Sequence, residues 1–325
     1  VPLMIVALAG VFAERSGIIN LALEGIMIFG AFIGVLFVRS MQDFEVFTNA
    51  VRAGDWLTLQ GLELLAMLVA AILGAAFSLL LSFASINLKA DQTIGGTALN
   101  LLAPALVLFF VRLIANQNTL QMASGDSAGW FMLKKAMFGY GRTDQPGFLF
   151  DTFVNKVYPA TYVCILIFVI MSIILYKTRF GLRLCACGEH PQAADSVGIN
   201  VYKMRYAGVI ISGILGGLGG IVYITSGVSE WKFENGVAGF GFLALAVMIF
   251  GQWKPVNIAL AALLFGLMRA LSNVYVAFDF LAGLPIPGTV YNMLPYIISL
   301  VVLAFTSKKS RAPKAEGIPY DKGVR

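Results

Sequence analysis

Residues 206–229 read YAGVIISGILGGLGGIVYITSGVS, and none of these 24 residues is charged. Arg205 and Glu230 bracket the stretch. A helix rises about 1.5 Å per residue, so about 20 apolar residues cross the hydrocarbon core of a bilayer. In lipid every backbone N–H and C=O must find a partner within the chain, which leaves a helix or a closed barrel. A barrel would alternate polar and apolar residues in segments of about ten, and this stretch does not alternate. Gly213 and Gly217 lie four apart, as do Gly216 and Gly220. Small residues at that spacing let helix backbones approach closely; a moving gate helix is the other use of the same glycines.

The pattern repeats along the chain. No charge lies between Glu63 and Lys89, Asp91 and Arg112, Lys156 and Lys177, Glu234 and Lys254, or Asp279 and Lys308. The whole sequence is 59% hydrophobic and 12% charged, against about 25% charged in soluble domains. The fold class is therefore all-α, a polytopic transmembrane bundle of about nine helices. The expected spans are the run ending at Phe12, then 18–38, 62–84, 97–111, 157–176, 206–225, 240–250, 256–275 and 290–305. The seventh is short enough to be re-entrant. The chain opens at Val1 inside an apolar run too short to span, and further native residues ahead of it would complete that helix. A signal peptide fits poorly, because no basic leader or cleavage site is visible.

Two basic segments set the orientation, since loops rich in Lys and Arg stay in the cytoplasm. One is 177–205; the other is the tail 307–325, with Lys308, Lys309, Arg311, Lys314, Lys322 and Arg325. An even number of crossings separates them. The division is thus a transmembrane domain, 1–306, with 177–205 on its cytoplasmic side, and a basic cytoplasmic tail, 307–325.

Several chemistries are excluded. No G-x-x-x-x-G-K-[ST] phosphate loop occurs, so the chain is not expected to hydrolyse ATP. His190 is the only histidine, which makes a Ser/His/Asp set implausible and leaves no H-E-x-x-H metal site. Cys164, Cys185 and Cys187 have no second cysteine pair beside them, and read as free thiols rather than metal ligands.

The segment 177–205, KTRFGLRLCACGEHPQAADSVGINVYKMR, is too long for a simple turn between spans. Pro191 can open a helix at its first position, and Pro191 to Val197 reads as a short amphipathic helix ended by Gly198. Its use would be to dock on a cytoplasmic partner; an ordinary solvated loop is the plainer reading.

Here a resemblance enters. Gly181-Leu182-Arg183, Gly188-Glu189-His190-Pro191, Ala193-Ala194 and Gly198-Ile199-Asn200 resemble the coupling segment of ABC permeases for ribose, branched-chain amino acids and nucleosides. The family pattern is G-x-x-x-R-A-x-G-x-N-P-x-A-A-x-x-x-G-I; Cys185 stands at the usual Arg and His190 at the usual Asn. Residues 14–25, ERSGIINLALEG, resemble the family's E-R-x-G-x-x-N-x-x-x-E-G signature, and 90–101, ADQTIGGTALNL, are similar to its nucleoside branch. The N-terminal signature is most like the shorter of two paired permeases in importers with basic-membrane-protein-type lipoprotein receptors. The resemblance implies a non-catalytic inner-membrane subunit with a cytoplasmic C-terminus. It implies no cofactor on this chain, and ATP and Mg on a partner ATPase. It further implies a second homologous permease in a heterodimer, an extracytoplasmic solute-binding lipoprotein and a small polar solute, with no nucleic acid. ATPase coupling would fall to Gly188, Glu189, His190, Pro191, Ala193, Ala194, Asp195 and Gly198.

For the solute route, Asn20 and Glu24 are four apart and would share a helix face. A carboxylate within a span usually faces the bundle interior or a water-filled cavity. Thr93, Thr97 and Asn100 form a second polar stripe, so a route between the second and fourth spans would suit ribose hydroxyls or base edges. The same residues would equally make a structural cluster, with Glu24 capping nearby backbone groups. Phe240 would stack a base or simply pack in the core. Purine nucleosides come first as solute, then simple sugars, then branched-chain amino acids. An autonomous secondary transporter or channel is the competing class; it would run on an ion gradient without an ATPase. A membrane enzyme lacks its catalytic set.

Overall fold

The computed structural model describes residues 1–42, 44–122, 131–141, 147–227, 232–234, 236–275, 290, 293–294, 296–298, 300 and 312–322. The helices are α1 (Pro2–Arg15), α2 (Leu23–Gln42), α3 (Glu45–Ala53), α4 (Trp56–Ser82), α5 (Gln92–Ala115) and α6 (Phe148–Phe153). They continue as α7 (Pro159–Lys177), α8 (Arg179–Glu189), α9 (Pro191–Ser196), α10 (Val201–Gly227), α11 (Phe240–Phe250) and α12 (Pro255–Val274). Six of them, α2, α4, α5, α7, α10 and α12, are long and apolar enough to cross a membrane. The chain is a multi-pass membrane protein.

Local chemistry sets the helix starts. Asp55 accepts from the backbone N–H groups of Leu57 and Thr58, and Asp91 from those of Thr93 and Ile94. Each carboxylate thereby pairs donors that the first helical turn leaves free. Pro159 and Pro255 occupy first-turn positions in α7 and α12, where a missing N–H costs nothing.

The bundle is centred on α10, which packs against α1, α2 and α4. Glycines set this centre. A Cβ on Gly217 would lie 2.3 Å from the Ala70 carbonyl oxygen of α4, and one on Gly30 of α2 would lie 2.4 Å from Gly217 Cα. The glycine spacing noted at 213, 217 and 220 is thus a packing seam between three helices. By contrast α5, α7 and α12 keep most of their apolar surface exposed.

One end of the bundle carries α8, α9 and the turn after α1; it is the lower end here. At the opposite end, β1 (Thr119–Gln121) pairs antiparallel with β2 (Lys232–Glu234), with Leu120 facing Phe233. Both side chains are buried, so the ribbon lashes the chain after α5 to the chain after α10.

Three expectations need correction. The second span starts at Leu23 and not at Ile18, because residues 16–22 are non-helical. The segment 177–205 is mostly helical: α8 covers Arg179–Glu189, and Thr178 caps it by accepting from Gly181 N–H at 3.3 Å. The short helix expected at Pro191–Val197 is α9, one residue shorter. Within the expected tail, residues 312–322 pack against the lower end, with Tyr320 5% exposed. The last expected span, 290–305, lies mostly outside the described residues.

The central seam yields a prediction. Gly217→Ala should destabilise the protein by about 1–3 kcal/mol through overpacking, and lower its Tm in detergent. Gly61→Ala, where a Cβ meets nothing within 4 Å, should leave Tm unchanged or raise it.

Candidate functional site

The E-R-S-G-I-I-N-L-A-L-E-G stretch forms a break between α1 and α2, and side chains from α5 and from the break itself pair its backbone polar groups. Ile19 N–H donates to Gln92 Oε1 at 2.7 Å. Asn20, fully buried, donates to Ser212 Oγ at 2.8 Å and accepts from Ala22 N–H at 3.1 Å. Asn100 donates to the Leu21 carbonyl at 2.6 Å and accepts from Gly25 N–H at 2.8 Å. A single amide side chain thus bridges the end of the break to the first turn of α2.

Glu24 then reaches across to α11. Its Oε1 accepts from Gly239 N–H at 3.0 Å and its Oε2 from Gly241 N–H at 2.6 Å. α11 is 11 residues long, about half a bilayer crossing. The positive end of such a half-helix is stabilised by a carboxylate. Of the two roles open to Glu24 from sequence, the geometry is that of a helix cap. The shared helical face expected for Asn20 and Glu24 does not form, since Asn20 precedes α2.

The expected polar stripe on α5 also divides. Thr93 and Thr97 are exposed, and the Thr97 hydroxyl donates to the Thr93 and Ile94 carbonyls at 2.9 and 3.0 Å. Asn100 faces the break instead. The structure therefore does not gather Asn20, Glu24, Thr93, Thr97 and Asn100 around one channel.

Phe240 stands elsewhere, on the first turn of α11. Its ring centroid lies 4.4 Å from that of Tyr223, and the Arg269 guanidinium lies 5.8 Å from it. Tyr158, Tyr223, Phe240 and Arg269 help to line a cavity of about 280 Å3. Arg269 escaped the sequence reading, although a lone charge near the end of an otherwise apolar span is itself a signal.

At the lower end Gly188 fits against the break: a Cβ there would sit 2.3 Å from the Arg15 carbonyl oxygen. Glu189 pairs with Arg15 at 3.1 Å. His190 is exposed and precedes Pro191, which is buried at the start of α9. Ala194 is buried, whereas Ala193 is exposed and Asp195 half-buried. Gly198, at φ +83°, turns the chain out of the helix. One face of α9 is therefore anchored, and the other, carrying Gln192, Ala193, Ser196 and Val197, is open.

The folded-back segment joins this end. Ala315 N–H donates to the Gly188 carbonyl at 2.8 Å, and Arg205 donates to the Ile318 carbonyl at 3.0 Å. Glu316 is half-buried, with one carboxyl oxygen enclosed and unpaired. Burial pushes its pKa up to about 7, against the opposing pull of Arg15. The indole of Trp253 donates to the buried Glu14 carboxylate nearby.

The family described as "Branched-chain amino acid transport system / permease component" matches residues 1–305. The chain is 41% identical over 324 residues to the guanosine ABC transporter permease protein NupQ of Bacillus subtilis, covering 100% of this chain and 94% of that protein. It is 38% identical over 331 residues to the nucleoside ABC transporter permease protein NupC of Lactococcus lactis, covering 99% and 93%. It is 25% identical over 272 residues to the nucleoside ABC transporter permease protein NupB of the same strain, covering 82% and 68%. No solved structure matches.

Two predictions concern these contacts. Glu24→Ala should leave the buried Gly241 N–H and the half-buried Gly239 N–H unpaired, at about 1–3 kcal/mol for the buried one, and Glu24→Gln should recover part of the loss; thermal unfolding in detergent reads both. For Glu316, a carboxyl whose pKa is raised by docking holds its proton more tightly when docked. Docking of 312–322 should be firmest near pH 4.5 and should weaken as pH rises through about 7. Hydrogen exchange at Ile318 and Tyr320 should show this slope in the wild type and lose most of it in Glu316→Gln.

Proposed function

Because the chain belongs to the family of branched-chain amino acid transport system permease components, we propose that it is the membrane-spanning subunit of an ATP-driven importer of nucleosides, purine nucleosides foremost. The observation that carries this reading is its end-to-end likeness, at 41% identity, to a permease whose name gives guanosine as its solute. The anchored α9, with one open face at the lower end, supports the coupling role. The subunit transports and does not catalyse. ATP and Mg belong to a separate ATPase that docks on Gly188–Gly198, meeting His190, Ala193 and the half-buried Asp195 while the buried Pro191 and Ala194 anchor the helix.

The lower end faces the cytoplasm of a bacterial inner membrane, and the C-terminus lies there with it. A solute-binding lipoprotein delivers nucleoside to the opposite end. A second homologous permease completes the membrane part as a heterodimer; that NupB and NupC come from one strain fits this arrangement. Phe240 and Tyr223 offer faces for a base, and Arg269 offers donors for its carbonyl groups or for ribose hydroxyls. Asn20, Glu24 and Asn100 support the route through the backbone they hold, while Thr93 and Thr97 stand on the separate exposed face of α5.

Uptake of labelled guanosine by cells carrying the complete transporter tests the reading. Unlabelled adenosine and inosine should compete, and ribose and leucine should not. Deleting residues 191–197 should abolish uptake and reduce co-purification of the ATPase by tenfold or more, a loss of about 1.4 kcal/mol in binding. Competition by ribose or leucine alone would refute the solute, and ion-driven uptake by this chain without an ATPase would refute the class.

A further inference from the structure

The structured end of the chain, residues 312–322, plays no part in the function so far described. It is nevertheless tied to the break after α1, the turn between α4 and α5, α8, α9 and α10. Ala315 bonds to the Gly188 carbonyl at 2.8 Å, and Gly317 to the Gly17 carbonyl at 3.3 Å. Arg205, 1% exposed, holds the Ile318 carbonyl and lies 6.0 Å from the Tyr320 ring centroid. Tyr320 is buried in a small cluster with Cys187, Ala194 and Val201. Asp321 pairs with Lys89, from the turn between α4 and α5, at 2.6 Å.

This packing gives the open face of α9 a second wall. Gln192, Ser196 and Asn200 line one side of a cavity of about 860 Å3, and Tyr320, Asp321 and Lys322 line the other. An exposed ion pair such as Lys89–Asp321 returns little of the conformational entropy lost when the segment is ordered. The buried tyrosine, the buried arginine and the backbone bonds do most of the holding. They set the segment beside α9 without covering α9's open residues.

We propose that residues 312–322 are the second half of the ATPase docking surface, so that the motor seats in a groove walled by α9 and by the chain's own C-terminal segment. The inference rests on the coupling role given to α9 above. Continuity identifies the occupant: the groove includes the open face of α9, and whatever seats on that face enters the groove. The walls carry amide, hydroxyl, carboxylate and ammonium groups in close succession. The matching surface on the ATPase is therefore polar, with donors placed for Asp321 and an acceptor for Lys322.

The test uses the complete transporter, with both permeases and the ATPase, in lipid nanodiscs. A photo-cross-linking p-benzoylphenylalanine is placed singly at Gln192, at Lys322 and, at the opposite end, at Phe148. Cross-links to the ATPase are expected from 192 and 322 and none from 148. Linkage from 192 without linkage from 322 would overturn this inference and leave the role of α9 intact. Linkage from neither would overturn both. As an independent reading, Lys322→Glu lies at an exposed position and should leave Tm unchanged while weakening ATPase co-purification about tenfold. Wild-type co-purification together with absent linkage from 322 would dispose of the proposal.

Discussion

The structure depends on one rule: a backbone polar group out of water must have a partner. Two places breach helical continuity, residues 16–22 and the start of α11, and at each a side chain fixed by another helix supplies the missing bonds. Asn100 and Asn20 serve the first, and Glu24 serves the second. Each bond to an ionised carboxylate contributes about 1.5–3 kcal/mol, against about 1 for a neutral pair. The Glu24 contacts outweigh the partly exposed Arg15–Glu189 ion pair, which at most adds about 1 kcal/mol. The break and the half-helix therefore hold each other. Because Asn20 is also bonded to Ser212 of α10, both are referred to the central helix.

How far this was legible in the sequence follows from what each feature needs. The charge-free stretches were readable because a bilayer judges each span by its own residues, so six spanning helices and the half-length α11 lie where the composition puts them. The start of α2 was not readable. Asn20 and Glu24 have helical spacing, and only the bonds of Asn20 to Ser212 on α10 and from Ala22 N–H show that its side chain replaces helical bonds instead of extending a helix. Arg179–Glu189 does carry a helical period, with Gly181, Leu184, Cys187 and Gly188 on its buried face, but its mean apolar content is low, and its helix is fixed by the Thr178 cap and by Gly188 meeting the Arg15 carbonyl. The C-terminal segment read as a basic tail since its charges are visible in sequence, whereas the site for Tyr320 is assembled from three distant elements.

The glycines of α10 belong to the same logic from the other side. Where backbones touch, no side chain can sit between them, and Gly217 lies against both Gly74 and Gly30. Such contacts are close-packed and resist compression. The centre formed by α2, α4 and α10 therefore behaves as a rigid body. The more exposed α5, α7 and α12 offer their apolar faces to lipid or to a second permease.

Motion in such a body has to enter at its joints. Under the proposed function, force from the ATPase reaches α9 and passes to Gly188, which bears directly on the Arg15 carbonyl at the top of the break. The break has few hydrogen bonds of its own helix to lose, and its partners, Gln92 and Asn100 on α5 and Ser212 on α10, tie it to two further helices. A displacement at α9 is thus delivered to the one place where α1 and α2 can swing without unwinding, and Glu24 carries the swing onward to α11 and the Phe240–Arg269 cavity. The polar residues that pin the resting bundle are on this account the same ones that steer its rearrangement, which explains why a chain so apolar keeps them buried.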